Sequence, residues 1–527
     1  MTAMVSSDLN SSSTAPRHDV DRPGDHPASK GTWIVVLAIV VLHAAIGTWL
    51  ACTLNVWLDE AFSLETTGSG LGVAFRRAID FEMQPPAYFT LLAGWRSLAD
   101  GFAFARMLSV LCTASALVLT ARLWRRLCPT VAPGWVVAVL AFHPFTIYAA
   151  IEIRLYALAM LLSVILLDLY FANYFDDGRA SRSGRAQFTA ASVAALWTQF
   201  YLGFLLATLG GVLVVRRRWR AVGAYLAAMV VAAVALVPFV PGVTGQLEGH
   251  THGVDERFGI VEQAKFVYQR LAYYALPRET ESPRPVKLAR DAAVLAVSGY
   301  LALRLARRGR RPRLSDRTQA LGWIVAGLMA SFVIAVVVTR TQDLVLVRHT
   351  VAVFVPTVLL TFLVAAEIGG RRTVVATAAV VLAFEAADLA TVYLPHPAKR
   401  GDWIAVARYI EAREKPGEPI LVFRAPTELP LAIHYRGVNP IVPVPRANDR
   451  DHWVLEDAQL HSTDEVNAFL ATLPGQPRAL WLVTDTIWST MGVSFGHDIL
   501  DRALEQSFVV KDERSFFASR VRLLERR

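Results

Sequence analysis

The chain has 527 residues, of which 54% are hydrophobic and only 18% charged, with a mean hydropathy of +0.39. That balance is too apolar for an ordinary water-soluble protein, so the bilayer is the implied solvent. The formal net charge of +9 does not make it a nucleic-acid binder, because the basic residues gather in short connectors between apolar runs; no nucleic-acid partner is expected.

In chain order, residues 1–30, rich in Ser, Asp, Pro and His, read as a disordered cytoplasmic tail. A helix needs about 20 residues to cross the hydrocarbon core. Runs of that kind start near Thr32, Phe104, Pro133, Leu155, Phe188, Leu202, Ala221, Leu288, Ala320, Val351 and Thr373. The expected fold is therefore an α-helical polytopic membrane protein with about eleven transmembrane helices over 31–394. Thr32 to Leu54 is read as an uncleaved first helix: Trp49 stands where a lipoprotein cleavage box wants a small aliphatic residue, and many spans follow.

Arg122/Arg125/Arg126, Arg179/Arg182/Arg185, Arg216–Arg220, Arg304–Arg317 and Arg371/Arg372 occupy every second connector, which the positive-inside rule assigns to the cytoplasm. Counting crossings from an inside N-terminus puts the long loops at about 55–103 and 242–285, and everything after 394, outside. The cysteines Cys52, Cys112 and Cys128 offer no disulfide framework.

From about Pro395 the composition turns mixed, and residues 395–527 are expected to form a small periplasmic or extracytoplasmic α/β domain. Gly401-Asp402-Trp403 opens a helix to about Arg413, Ile420–Phe423 and Ala479–Val483 read as buried strands, and Ser462 with Glu465 makes a capping-box pattern. It either covers the membrane part or binds an acceptor.

The first outer loop begins Asn55-Val56-Trp57-Leu58-Asp59-Glu60, two adjacent carboxylates where the first helix leaves the bilayer; a plain helix N-terminus also favours such acids. Asp80-Phe81-Glu82-Met83-Gln84-Pro85-Pro86-Ala87-Tyr88 then brings more acids and a rigid Pro-Pro element back towards the membrane. Glu152-Ile153-Arg154-Leu155-Tyr156 puts charge at a costly depth, where a Glu152–Arg154 ion pair is the plain alternative to a cavity. Thr339-Arg340-Thr341-Gln342-Asp343 and Arg348-His349 precede the tenth span, where arginine can also simply snorkel.

The order of these motifs, continued by Gly401-Asp402-Trp403, resembles the GT-C membrane glycosyltransferases: bacterial relatives of the protein O-mannosyltransferases, the lipid A aminoarabinose transferase and the rhizobial lipopolysaccharide galacturonosyltransferases. The resemblance runs from the first helix to the start of the tail. It implies transfer of a sugar, with inversion, from a polyprenyl-phosphate-linked donor to an envelope acceptor (glycolipid, glycan or protein) on the outer face of the bacterial cytoplasmic membrane.

Under that resemblance Asp59 matches the family's candidate base and Glu60 joins it as a catalytic candidate. Asp80, Glu82, Gln84, Tyr88, Glu152, Arg154, Tyr156, Arg348 and His349 become candidates for substrate binding. Gln84 departs from the pattern, since relatives often carry His or Lys before Pro-Pro. A hydroxyl attacking an anomeric carbon must lose a proton, which one carboxylate can accept, and Arg154 or Arg348 can hold the departing phosphate. Asp59 is also the candidate ligand of a divalent metal, with Glu60, Asp80, Glu82, His250 and His252 nearby in the loops; His250-Thr251-His252 reads rather as an exposed loop. A transporter or flippase of lipid-linked substrates is the competing class, separated from the enzyme by whether Asp59, Glu152, Arg154 and Arg348 share one cavity.

Overall fold

The computed structural model describes residues 30–176, 181–239, 283–293, 314–339, 348–390, 401–446, 455–490 and 493–527, with a few single positions between 261 and 296. The 1–29 tail, most of the 242–285 loop, His250, His252 and Thr341–Asp343 lie outside the described residues, as does most of the span expected from Leu288.

Long apolar helices make the body: α1 (Lys30–Thr53), α5 (Phe102–Leu127), α8 (Tyr156–Tyr170, extended by a π turn to Phe175), α11 (Trp219–Leu236), α12 (Asp316–Thr339) and α13 (Val351–Asp388). Among the described residues, these six are long and apolar enough to cross a membrane. Gly370, with φ 66°, interrupts α13. A residue in that region must be glycine to avoid strain, and it splits α13 into the two runs expected from Val351 and Thr373.

The Pro133 run is broken differently, into α6 (Gly134–Phe142) and α7 (Pro144–Ala150). Pro144 has no N–H to continue the helix, and His143 restarts it by accepting a hydrogen bond from the Phe145 amide at 3.0 Å. Shorter helices α9 (Arg182–Thr198) and α10 (Leu202–Val215) complete the bundle. Large apolar side chains stay exposed on α1 (Ile34, Val41), α11 (Val230, Val234) and α12 (Ile334, Val338). In water such faces would aggregate; hydrocarbon matches them.

The two ends of the bundle differ. At one, the basic connectors are tied together: Asp168 meets Arg122 and Arg126, each at 3.2 Å, Asp176 meets Arg317 at 3.1 Å, and Arg216 meets Asp316 at 3.1 Å. At the other, residues 55–103 are not an open loop but three short helices, α2 (Leu58–Thr67), α3 (Leu71–Asp80) and α4 (Ala87–Arg96). A search for membrane-length runs passes over helices this short.

From residue 401 the chain forms an α/β domain. Strands β1 (Ile420–Phe423), β2 (Ile441–Pro443), β3 (Ala479–Asp485), β6 (Phe508–Phe516) and β7 (Ser519–Arg526) make a sheet ordered β2-β1-β3-β7-β6. The first three are parallel, and β7 and β6 are antiparallel. A two-stranded ribbon, β4 (Ser489–Thr490) with β5 (Val493–Ser494), lies beside it.

Alternation along β1 and β3 serves two buried faces. Ile420, Val422, Trp481 and Val483 pack on α14 (Trp403–Glu411) and α15 (Glu428–His434). Leu421, Phe423, Leu480 and Leu482 pack on α16 (Thr463–Ala471) and α17 (His497–Ser507). Ser462 caps α16, accepting from the Glu465 amide at 3.2 Å. The domain is bonded to the membrane body at the α2 end: Asn55 Oδ1 accepts from the Ile404 amide at 2.9 Å, and His434 Nε2 from the Val56 amide at 3.0 Å.

Candidate functional site

The site is built where α1 ends and α2 begins. Asp59 and Glu60 both fall in the first turn of α2, where the helix dipole favours acids, yet their side chains part. Glu60 accepts from Arg106 Nε and Nη2 at 2.9 and 2.7 Å and from the Ile153 amide at 3.0 Å. Arg106 also donates to the carbonyls of Ala51, Leu54 and Asn55 at 2.6–2.9 Å. Every guanidinium N–H is thereby used, and both side chains are 0% exposed. Glu60, expected as a catalytic partner of Asp59, is sealed by contacts that stitch the end of α1 to α5 and to the α7–α8 connector. A sealed carboxylate has no face to offer a substrate.

Asp59 turns the other way and meets Arg348 Nη1 at 3.0 Å; these side chains are 24% and 26% exposed. Alongside, Arg154 Nη1 donates to Glu82 Oε2 at 2.6 Å, to Ser63 Oγ at 3.0 Å and to the Asp59 carbonyl at 3.3 Å. Thr66 supplies Glu82's other oxygen at 3.3 Å. Burial pushes the Glu82 carboxyl up from the usual range, and the Arg154 charge pulls it back. Two carboxylates thus alternate with two guanidiniums, and the Asp59–Arg348 edge is the open one.

The other expected residues fall into three groups. Tyr156 is buried and stacks with Tyr148 at 5.9 Å, and His349 stacks on Tyr201 at 5.3 Å, so both wall the Arg348 side. Gln84 lies half-buried in the turn after α3, its backbone N–H donating to the Ala78 carbonyl, and Tyr88 is buried in α4 against Phe89, over whose ring Arg154 sits at 5.9 Å. Two do not join. Asp80 is exposed at the end of α3, and Glu152 is buried, accepting from Trp57 Nε1 at 2.7 Å. The Glu152–Arg154 pair, the plain alternative to a cavity, does not form: Glu152 meets Trp57 and Arg154 meets Glu82.

Sequence reasoning missed Arg106, Trp57 and Ser63. Arg106 had a usable signal, a lone cation within the apolar run of α5, since charge at that depth is costly without a partner. Among the described residues, no three His, Cys, Asp or Glu side chains converge to hold a metal ion. One carboxylate oxygen each of Asp59 and Glu82 is engaged by an arginine, at 3.0 and 2.6 Å.

No family model matches the chain, and no curated protein does. Among solved structures it is similar to ArnT from Cupriavidus metallidurans bound to undecaprenyl phosphate, with 14% identity and TM-score 0.42 over 94% of this chain and 98% of that one. It is also similar to the Archaeoglobus fulgidus oligosaccharyltransferase in complex with Zn and sulfate, with 12% identity and TM-score 0.44 over 89% of this chain and 71% of that one. The same enzyme tethered to an acceptor peptide containing the NVT sequon gives 12% identity and TM-score 0.44 over 91% and 72%. These neighbours are GT-C glycosyltransferases, the class the motifs resemble.

Proposed function

We propose that the protein is a GT-C-type glycosyltransferase that moves a sugar, with inversion, from a polyprenyl-phosphate donor to an envelope acceptor on the outer face of the cytoplasmic membrane. The observation that carries this reading is the partly open Asp59–Arg348 pair at 3.0 Å, backed by Arg154. The cluster lies at the bundle end opposite the tied basic connectors. Lys/Arg-rich connectors favour the cytoplasm, which supports an outward-facing site.

The steps follow from the residues. A donor phosphate takes the N–H groups of Arg348 left over from Asp59, in charge-assisted and bidentate contacts. The acceptor hydroxyl attacks the anomeric carbon from the face opposite the phosphate, its oxygen bonding to carbon as the carbon–phosphate oxygen bond breaks. The bonding electrons leave with the lipid phosphate, whose charge Arg348 and Arg154 stabilise, and the hydroxyl proton passes to Asp59.

The test is reconstituted transfer from a short-chain polyprenyl-phosphate sugar, read as release of the lipid phosphate. Wild type releases it only with acceptor present. Asp59→Asn at equal protein level should not, and retained turnover would discard Asp59 as base. The acceptor class is reached by profiling envelope glycolipids and glycans of a deletion strain for one missing sugar.

A further inference from the structure

A cavity of about 530 Å³ opens where the C-terminal domain meets the end of α1, within the size range of small-molecule sites. Neither Asp59 nor Arg348 lines it. Its walls include Thr53 and Asn55 from the membrane body, Arg408, Tyr409 and Arg413 from α14 and its end, and Arg514 from β6.

Three arginines line this space against a single carboxylate, Asp402, which leaves an excess of positive charge that an anion can balance. Arg413 lies over the Tyr409 ring at 4.2 Å and Arg514 over the same ring at 5.4 Å, contacts that hold both heads in place. Asp402 accepts from the Ala405 amide at 3.2 Å as the cap of α14, and Asp512, outside the lining, accepts from the Tyr409 hydroxyl. Among the described residues, none of the three arginines has a carboxylate partner. Thr53 is the last residue of α1, so the cavity stands at the depth of the headgroups.

We propose that this cavity binds a phosphate group at the membrane surface, carried by a lipid headgroup or free in solution. Arginine forks recognise phosphate bidentately, and the Asn55 side-chain NH2 adds a neutral donor, its Oδ1 being taken by the Ile404 amide. The proposal is independent of the transfer chemistry, because its residues are not those of the Asp59 cluster.

The test uses the full chain in neutral detergent, titrated with inorganic phosphate at constant ionic strength and, separately, with dihexanoyl phosphatidate below its micellar concentration. The melting midpoint is read. A saturable rise is expected in at least one titration: with the lipid alone, the headgroup is the source; with inorganic phosphate also, free phosphate suffices. The Arg413→Gln/Arg514→Gln double variant should raise the half-saturating concentration about tenfold or more. Ala405→Glu should do the same by placing a second carboxylate in the wall beside Asp402, while sitting at the third helical position, where Glu is tolerated. The control pair Arg502→Gln/Lys511→Gln, both exposed and neither lining the cavity, should leave binding unchanged. No saturable rise with either probe, or an equal loss in the control pair, overturns the proposal.

Discussion

Two ion pairs grow from adjacent residues of one helical turn, and they are built for different work. Glu60 and Arg106 are sealed from solvent, with every guanidinium N–H bonded. Asp59 and Arg348 share one hydrogen bond at 3.0 Å and keep about a quarter of each side chain open. A buried, saturated pair holds geometry, whereas an open, undersaturated pair can exchange partners with a substrate. The first pair fixes the turn that aims the second.

That contrast breaks most sharply at Arg106. Arg106→Met leaves Glu60 charged and buried without its partner, a loss on the order of 3–5 kcal/mol. Little folded protein should then be recovered from membranes, as read by size-exclusion yield and melting. Joining Glu60→Gln to Arg106→Met removes the orphan charge and should restore part of the yield. If the single variant melts like wild type, the anchor reading is wrong.

Asp59→Asn should do the reverse. The Asp59–Arg348 pair is half-open, and open pairs contribute about 0–1 kcal/mol to stability, so melting should barely move. Lipid-phosphate release should fall by about 10²–10⁴, the usual contribution of a positioned general base. A variant that loses stability and activity in step would show that Asp59 is a second anchor.

Most of the helical body was legible because its signal is local. Hydropathy over a span-length window locates α1, α5, α8, α11, α12 and both halves of α13, and the short apolar runs at Ile420 and Ala479 mark β1 and β3. The short helices α2–α4 escaped because each is half the length such a window seeks. The site was legible as a list and not as a set of pairs. Asp59, Glu82, Arg154 and Arg348 stand out as charges near apolar runs, but which acid meets which arginine depends on how α2, the α7–α8 connector and the start of α13 come together. Glu152 and Arg154 look paired in sequence and are not, and Arg106 hides among the apolar residues of its helix while binding the neighbour of the candidate base.

Arg348 sharpens the open side of the comparison with a smaller effect. Arg348→Gln removes charge-assisted contacts of about 1.5–3 kcal/mol, so the donor KM should rise about 10–100-fold with melting unchanged. Arg348→Lys keeps the charge but loses the planar fork, and should fall between the two. An unchanged donor KM in both variants would move the phosphate away from this arginine.

The smallest effect concerns how the C-terminal domain is held over the turn that carries both pairs. His434 Nε2 accepts the Val56 amide at 3.0 Å, which requires a neutral ring. Burial first, and then the Arg106 and Arg436 charges, push its pKa down to about 4 from the usual 6.5. The folded state therefore binds fewer protons than the unfolded one between these values. The contribution is complete above about pH 6.5 and is lost as pH falls towards 4. His434→Gln keeps an acceptor but cannot titrate, so between pH 7.5 and 4.5 its melting midpoint should fall by about 2–4 °C less than that of wild type. Equal acid losses in the two proteins would mean that the buried carboxylates, rather than this contact, govern the acid sensitivity of the junction.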